Sequence, residues 1–148
     1  MRTYVCATVL SLLVSAAPGA EKKVISPPEF AGSPGTAPLF SSGILVDGTL
    51  YISGQIGRDL KTREVPADFE AEVKRCLDNI GIVLKAAGMT YEDIVSVQVY
   101  LTDMELFPRM NAVYSTIIKE PRPTRTTVGV TKLADPKARI EITATARR

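Results

Sequence analysis

Two hydrophobic periods along the chain predict its main elements. Between residues 67 and 87 apolar side chains recur at steps of three and four, which is typical of an amphipathic helix, and Gly88 follows as its end. Residues 94–101 alternate instead, and the alternation predicts a half-buried strand. The alternation assigns one side of this strand to Val95, Val97, Val99 and Leu101 and the other side to Ser96, Gln98 and Tyr100.

Shorter patterns predict the remaining elements. Two strands flank the turn residues Asp47 and Gly48, a second helix begins at Pro108, and two strands cover residues 124–131 and 138–146. Residues 26–38 are rich in proline and glycine, so we expect a long loop there. The predicted order ββαβαββ makes one α+β domain.

The predicted sheet has more surface than its own helices bury. Two helices cover one face, so the other face must meet solvent or another chain. That uncovered face is expected to mix polar and apolar groups: Ser96, Gln98, Thr127, Glu141 and Thr143. We therefore expect a second copy of the chain to cover part of it.

The first twenty residues, "MRTYVCATVLSLLVSAAPGA", have the layout of a secretory signal peptide. One arginine precedes an apolar stretch that is shorter than the roughly 20 residues needed to span a bilayer, and small residues follow. This predicts an exported protein, periplasmic or secreted, whose mature domain covers residues 21–148 without a membrane anchor. A mitochondrial presequence is the alternative.

Composition excludes several kinds of chemistry. The 148 residues include 18 basic and 16 acidic side chains without a basic run, so nothing predicts a nucleic-acid partner. There is no histidine, and the two cysteines, Cys6 and Cys76, match neither a zinc spacing nor a disulfide framework. No metal site is predicted, and acid–base chemistry would fall to another side chain such as Asp or Glu.

Arg125 and Glu141 are the charged residues that stand out, because each interrupts a strand pattern. We expect the two strands to be antiparallel neighbours. The residues could be a solvated pair on an exposed face, or both could point at a ligand. An arginine fork matches a carboxylate, and a glutamate can deprotonate a water, so the second reading suits an anionic, electrophilic substrate.

Five motifs resemble the reactive intermediate deaminase A family (RidA, also called YjgF), in the family's order and spacing. They are "LYISGQIG" at 50–57, "CLDNIGIVLKAAG" at 76–88, "MNAVYSTI" at 110–117, "PTRTTVGV" at 123–130 and "ARIEITATA" at 138–146. The resemblance implies a chorismate-mutase-like fold, assembled as a homotrimer with sites between subunits. It also implies cofactor-independent hydrolysis of 2-imino acids, of the 2-iminobutanoate and 2-iminopropanoate type, to 2-keto acids and ammonia.

The same resemblance assigns roles to individual positions. Arg125 matches the arginine that binds the substrate carboxylate, together with the N–H of Thr127, and Glu141 matches the glutamate that positions and activates water. The other positions that match pocket residues are Ser53, Gly54, Asn111 and Phe40. Phe40 stands where many members have tyrosine, and Thr127 where cysteine is common, which affects the expected substrate range. The alternative function is a non-catalytic trimeric module that binds small acids or acts as a chaperone.

Overall fold

A computed structural model describes residues 19–31 and 39–148, and the predicted signal peptide lies almost entirely outside these residues. Six strands form one sheet in the order β1-β2-β3-β6-β4-β5. The strands are β1 (Lys23–Ile25), β2 (Gly43–Val46), β3 (Thr49–Ile56), β4 (Ile94–Leu101), β5 (Thr124–Gly129) and β6 (Ile140–Arg147). The helices are α1 (Phe69–Ala86) and α2 (Phe107–Ile117), and single 3-10 turns lie at Pro28–Phe30, Tyr91–Asp93 and Met104–Leu106.

The predicted hairpin is confirmed between β2 and β3. Asp47 and Gly48 both have positive φ, 48° and 71°, as the tight two-residue turn between twisted strands requires. The turn pairs Val46 with Thr49, which fixes the register of both strands.

Both predicted helices are confirmed and pack on one face of the sheet. Asp68 caps α1 by accepting a hydrogen bond from the N–H of Ala71 at 2.8 Å, and Gly88, at φ 73°, follows its end. Pro108 lies in the first turn of α2, where its missing N–H breaks no helical bond. The core lies between the helices and the sheet; its fully buried members include Leu50, Val73, Leu77, Ile80, Leu101, Met110, Ile140 and Ile142.

Several expectations from the sequence are wrong. Val95 is 48% exposed rather than on the buried side, because an irregularity in the β4–β6 pairing between Ile94 and Ser96 brings Ile94 inward instead. An additional edge strand, β1, precedes the predicted first strand. Finally, β5 and β6 are not neighbours, since β4 lies between them and pairs parallel with β5 and antiparallel with β6.

The position of β5 also moves Thr127 to the other face of the sheet. Thr127 pairs with the buried Val99, so its side chain points to the helix side and not to the uncovered face. The uncovered face keeps Ser96, Gln98, Glu141 and Thr143. Among the described residues, no helix is long and apolar enough to cross a membrane.

Candidate active site

Arg125 is held rigidly at the edge of the sheet by residues of α2. Its guanidinium donates a hydrogen bond to Asn111 Oδ1 at 2.7 Å and lies 4.7 Å from the ring centre of Tyr114 and 5.7 Å from that of Phe107. These cation–π contacts and the hydrogen bond to the Asn111 side chain fix the plane of the guanidinium. Because a guanidinium has five N–H donors, most remain available for a ligand.

An open cleft of about 480 Å³ lies in front of this arginine. Its wall is formed by Asn111, Tyr114, Ser115, Arg122, Pro123 and Arg125, so it carries two cationic side chains and no carboxylate. Arg122 pairs with Glu120, whereas no carboxylate in the described part of the chain lies within 4 Å of the Arg125 guanidinium. The cleft is therefore suited to an anion.

Thr127 lies two residues beyond Arg125 on the same edge strand. The N–H of Val130 donates to the carbonyl of Leu101 at 2.8 Å, so by alternation the N–H groups of Val128 and Thr126 also face β4. The N–H of Thr127 then points away from β4, to the unpaired edge of the sheet. A backbone donor thus lies on the same edge as the Arg125 guanidinium.

Glu141 occupies the uncovered face of the sheet, beside a bulge in β3. The pairing passes from Ile52–Ala144 to Gln55–Ile142, so Ser53 and Gly54 together oppose one residue of β6. The Glu141 carboxylate lies directly over Gly54, where a side chain of any size would overlap Oε1. The glycine therefore makes room for the carboxylate.

The loop that precedes β2 supports this bulge. The hydroxyl of Ser53 donates to the carbonyl of Ser42 at 3.1 Å, and the amide of Gln55 donates to the Ser53 carbonyl at 3.1 Å. Phe40 lies in the same loop and is 70% exposed. Ser53 and Gly54 thus group with Glu141, whereas Asn111 and Thr127 group with Arg125.

The two groups do not meet within one chain. Arg125 pairs with Val97 of β4, and Glu141 pairs with Tyr100 of the same strand. Two strand spacings and three residues along β4 separate them, about 14 Å between backbones, and their side chains point to opposite faces. The expected antiparallel neighbouring pair is therefore wrong, because the strand predicted at residues 94–101 lies between the two elements.

Reasoning from the sequence missed two contributors to the arginine's environment, Phe107 and Tyr114. Both contact the guanidinium from successive turns of α2, together with Asn111. Burial raises the pKa of Tyr114 above its ordinary value, while the charges of Arg125 and Arg122 oppose that rise. The helical spacing of residues 107, 111 and 114 was the available signal.

Cys76 is a core thiol, as its place on the apolar side of α1 predicts. It is fully buried and donates to the carbonyl of Gln55 at 2.9 Å. Burial raises the pKa of this thiol well above its ordinary value, and the charge of Glu72 adds to the rise. A thiolate nucleophile is thereby disfavoured at neutral pH. Within residues 19–31 and 39–148, no cluster of acidic or cysteine side chains is arranged to hold a metal ion.

This architecture places the chain in the class of α+β proteins with a chorismate-mutase-like fold, a single sheet covered on one face by two helices. The family model described as Endoribonuclease L-PSP matches residues 31–148, and the chain belongs to this family, the RidA/YjgF family.

Individual relatives agree with this assignment. A rat protein named 2-iminobutanoate/2-iminopropanoate deaminase is 39% identical over 127 residues, which cover 84% of this chain and 89% of the relative. Among solved structures, the YjgF gene product of E. coli has a TM-score of 0.75 and 35% identity, covering 85% of this chain and 98% of that one. E. coli TdcF with bound serine has a TM-score of 0.76 and 31% identity, with the same coverage.

Proposed function

We propose that this protein hydrolyses 2-imino acids to 2-keto acids and ammonia, in clefts between the subunits of a homotrimer. The observation that carries the proposal is the Arg125 guanidinium, which Asn111 and two aromatic rings hold in place without a carboxylate partner, facing an open cleft. Such a group is ready to bind the carboxylate of a small acid. The deaminase name of the rat relative and the serine bound to TdcF support a substrate related to amino acids.

The geometry of the sheet is the reason for placing the site between subunits. A 2-imino acid of a few ångströms cannot contact Arg125 and Glu141 of one chain, since they face opposite sides of the sheet. If the uncovered face of one subunit packs against the β5 edge of the next, Glu141 of the first meets Arg125 of the second. A closed ring of three such head-to-tail contacts would make three identical sites.

In this site the substrate carboxylate binds Arg125 and the N–H of Thr127, which fixes the position of the imine carbon. Glu141 of the neighbouring subunit then accepts a proton from a water as the water oxygen bonds to that carbon. Glu141 passes that proton to the nitrogen of the carbinolamine. The C–N bond then breaks, the hydroxyl gives its proton back to Glu141 as the keto C=O bond forms, and the released ammonia carries this proton away as ammonium. Water is the only co-reactant, because the reaction involves no oxidation or reduction.

Most of the rate gain in this scheme comes from positioning. An iminium carbon is already electrophilic, so a carboxylate is a sufficient base when it is held against the attacking water. Phe40 has no hydroxyl to help orient that water, so Glu141 must orient it with the polar groups of the Ser53–Gly54 bulge.

We also propose that the protein is exported after removal of residues 1–20.

The direct test is to measure ammonia and 2-keto acid released from an imine that an amino-acid oxidase generates in place. The mature protein should accelerate release at substoichiometric concentration, and Glu141→Gln should not. If both forms bind the 2-keto acid product but neither accelerates release, the protein is instead a non-catalytic module that binds small acids.

A further inference from the structure

One face of α1 carries three buried side chains with hydrogen-bonding groups that the proposed chemistry does not use. Glu72, Cys76 and Asn79 are 0%, 0% and 2% exposed and follow one another at steps of four and three. A buried carboxylate costs free energy unless it is fully hydrogen-bonded, so such a group in a core requires an explanation.

Glu72 binds the beginning of β6, immediately before Glu141. Its Oε1 accepts from the backbone N–H groups of Arg139 at 2.6 Å and Ile140 at 3.3 Å, and its Oε2 accepts from Arg139 Nε at 2.6 Å. The Arg139 guanidinium also donates to the carbonyl of Pro66 at 2.9 Å and lies 5.4 Å from the Phe69 ring centre. One carboxylate thus holds both the backbone and the side chain at the entry to the strand.

The other two side chains on this face of α1, Cys76 and Asn79, bind β3, the strand that pairs with β6 next to Glu141. Asn79 donates to the carbonyls of Ile56 and Arg58, both at 3.0 Å, and Cys76 donates to the carbonyl of Gln55 at 2.9 Å. Ile56 is the residue of β3 that pairs with Glu141. Both β6, which carries Glu141, and its neighbour β3 are therefore attached to α1.

Close packing makes this attachment stiff. At Gly57, directly after β3, an added side chain would overlap the backbone of Glu72. The helix thus lies directly against the end of the strand, through the carbonyl and the Cγ of Glu72. A shift of Glu72 would move Arg139 and Ile140, and with them the carboxylate over Gly54.

We infer that Glu72 is a positioning residue for Glu141: through Arg139 and Ile140 it sets where the Glu141 carboxylate stands relative to the attacking water. This inference rests on the proposed function, in which Glu141 is the base. A displacement of about 1 Å in a reacting group can cost about 100-fold in rate. Arg125 lies on β5, which β4 separates from β6, and its side chain contacts α2 rather than α1, so substrate capture does not depend on Glu72.

The test compares Glu72→Gln, which keeps the shape but removes the charge, with Leu84→Ala. Leu84 lies on the same helix, is buried, and contributes only core volume. We expect Glu72→Gln to lower kcat about 10- to 100-fold with KM changed less than about threefold, when rates are expressed per folded site. Leu84→Ala should keep kcat within about twofold of the unaltered protein after the same correction, even if its Tm falls as far as that of Glu72→Gln.

A second readout does not require activity. The side-chain carboxyl ¹³C signal of Glu141, assigned by its loss in Glu141→Gln, should shift in Glu72→Gln and stay in place in Leu84→Ala. An unmoved signal, or equal kcat losses in the two variants, would overturn the inference. If the unaltered protein shows no imine hydrolysis, the proposed function fails, and the ¹³C signal alone decides on the positioning role.

Should Glu72→Gln fail to fold, Asn79→Ala tests the same attachment from β3. This variant should shift the Glu141 signal in the same experiment, with a smaller loss of kcat, because Ile56 retains its strand pairing with Glu141. An unchanged Glu141 signal in a folded Asn79→Ala protein would contradict the inference.

Discussion

Arg125 and Glu141 lie on opposite faces of one sheet, and β4 separates the strands that carry them. Each has its own support: α2 holds the arginine, and the Ser53–Gly54 bulge accommodates the glutamate. The two residues of one chain therefore cannot contact the same small molecule. Under the proposed function, the two residues have different kinetic roles and belong to different subunits.

Replacing Arg125 by lysine should weaken substrate capture. The lysine keeps the charge but loses the two-pronged geometry and the stacking on Tyr114. The loss of one charge-assisted hydrogen bond, about 1.5–3 kcal/mol, corresponds to about a 10- to 150-fold lower kcat/KM, mainly through KM. Steady-state kinetics measure this, and Arg109→Lys, in the exposed pair with Glu70, is the control. An unchanged KM would remove Arg125 from the site.

Replacing Glu141 by glutamine should lower kcat and leave binding intact. The amide has nearly the same shape over Gly54 but cannot accept the proton from water. A fall of about 10²- to 10⁴-fold in kcat is expected, while the Kd for the 2-keto acid product stays within about threefold. Exposed Glu92→Gln serves as the control. Full activity in Glu141→Gln would show that Glu141 is only a solvated residue on an exposed face of the sheet.

The elements that depend on residues close together in the sequence could be predicted. The order of the strands in the sheet, which depends on residues far apart in the sequence, was predicted wrongly. The Asp47–Gly48 turn and the period of α1 act over a few residues, so both could be recognised. The neighbours of β5 are set by the β4–α2–β5 connection, and a strand–helix–strand unit favours parallel adjacent strands. That rule, applied to the predicted elements, places β4 beside β5, and the position of β6 on the far side of β4 is seen only in the structure.

The site was predicted in part for the same reason. The resemblance named Arg125, Asn111, Thr127 and Glu141, but a motif does not tell which face of the sheet each side chain occupies. Glu72 could not be distinguished from the exposed acids of an amphipathic helix, since only its contact with Arg139 reveals its burial. Packing between elements distant in sequence decides such cases.

Export predicts a shortened chain in the native host. If residues 1–20 form a signal peptide, the mature protein should begin near residue 21, and its domain should fold without the removed segment. N-terminal sequencing of protein from the periplasm or medium checks this. An intact Met1 on protein recovered from the cytosol would contradict export.

Acid should destabilise the loop between β5 and β6 through Asp135. The N–H of Lys137 first, and then Arg58, hold the pKa of Asp135 below its ordinary value. A carboxyl with a lowered folded-state pKa stabilises the fold above its unfolded value, near 4, and this contribution is lost as the pH falls through the folded value. Thermal melts should therefore show the Tm gap between the unaltered protein and Asp135→Asn narrowing from about pH 5 downwards. The exposed-acid control Glu64→Gln should show no such narrowing, and a constant gap for Asp135→Asn would contradict the assignment.

Mixing two inactive variants tests whether the site is shared between subunits. Arg125→Ala chains retain Glu141, and Glu141→Gln chains retain Arg125. An intact site therefore forms only where an Arg125→Ala chain supplies Glu141 and the neighbouring Glu141→Gln chain supplies Arg125. With equal amounts and random exchange after unfolding and refolding together, the probability is one half times one half, so about a quarter of the wild-type activity should return. Variants refolded separately and then combined without exchange give the background. Sedimentation should show about three subunits per particle before and after mixing. If the mixture stays at background while subunits have exchanged, Arg125 and Glu141 do not act across a subunit contact, and the two-chain site is wrong.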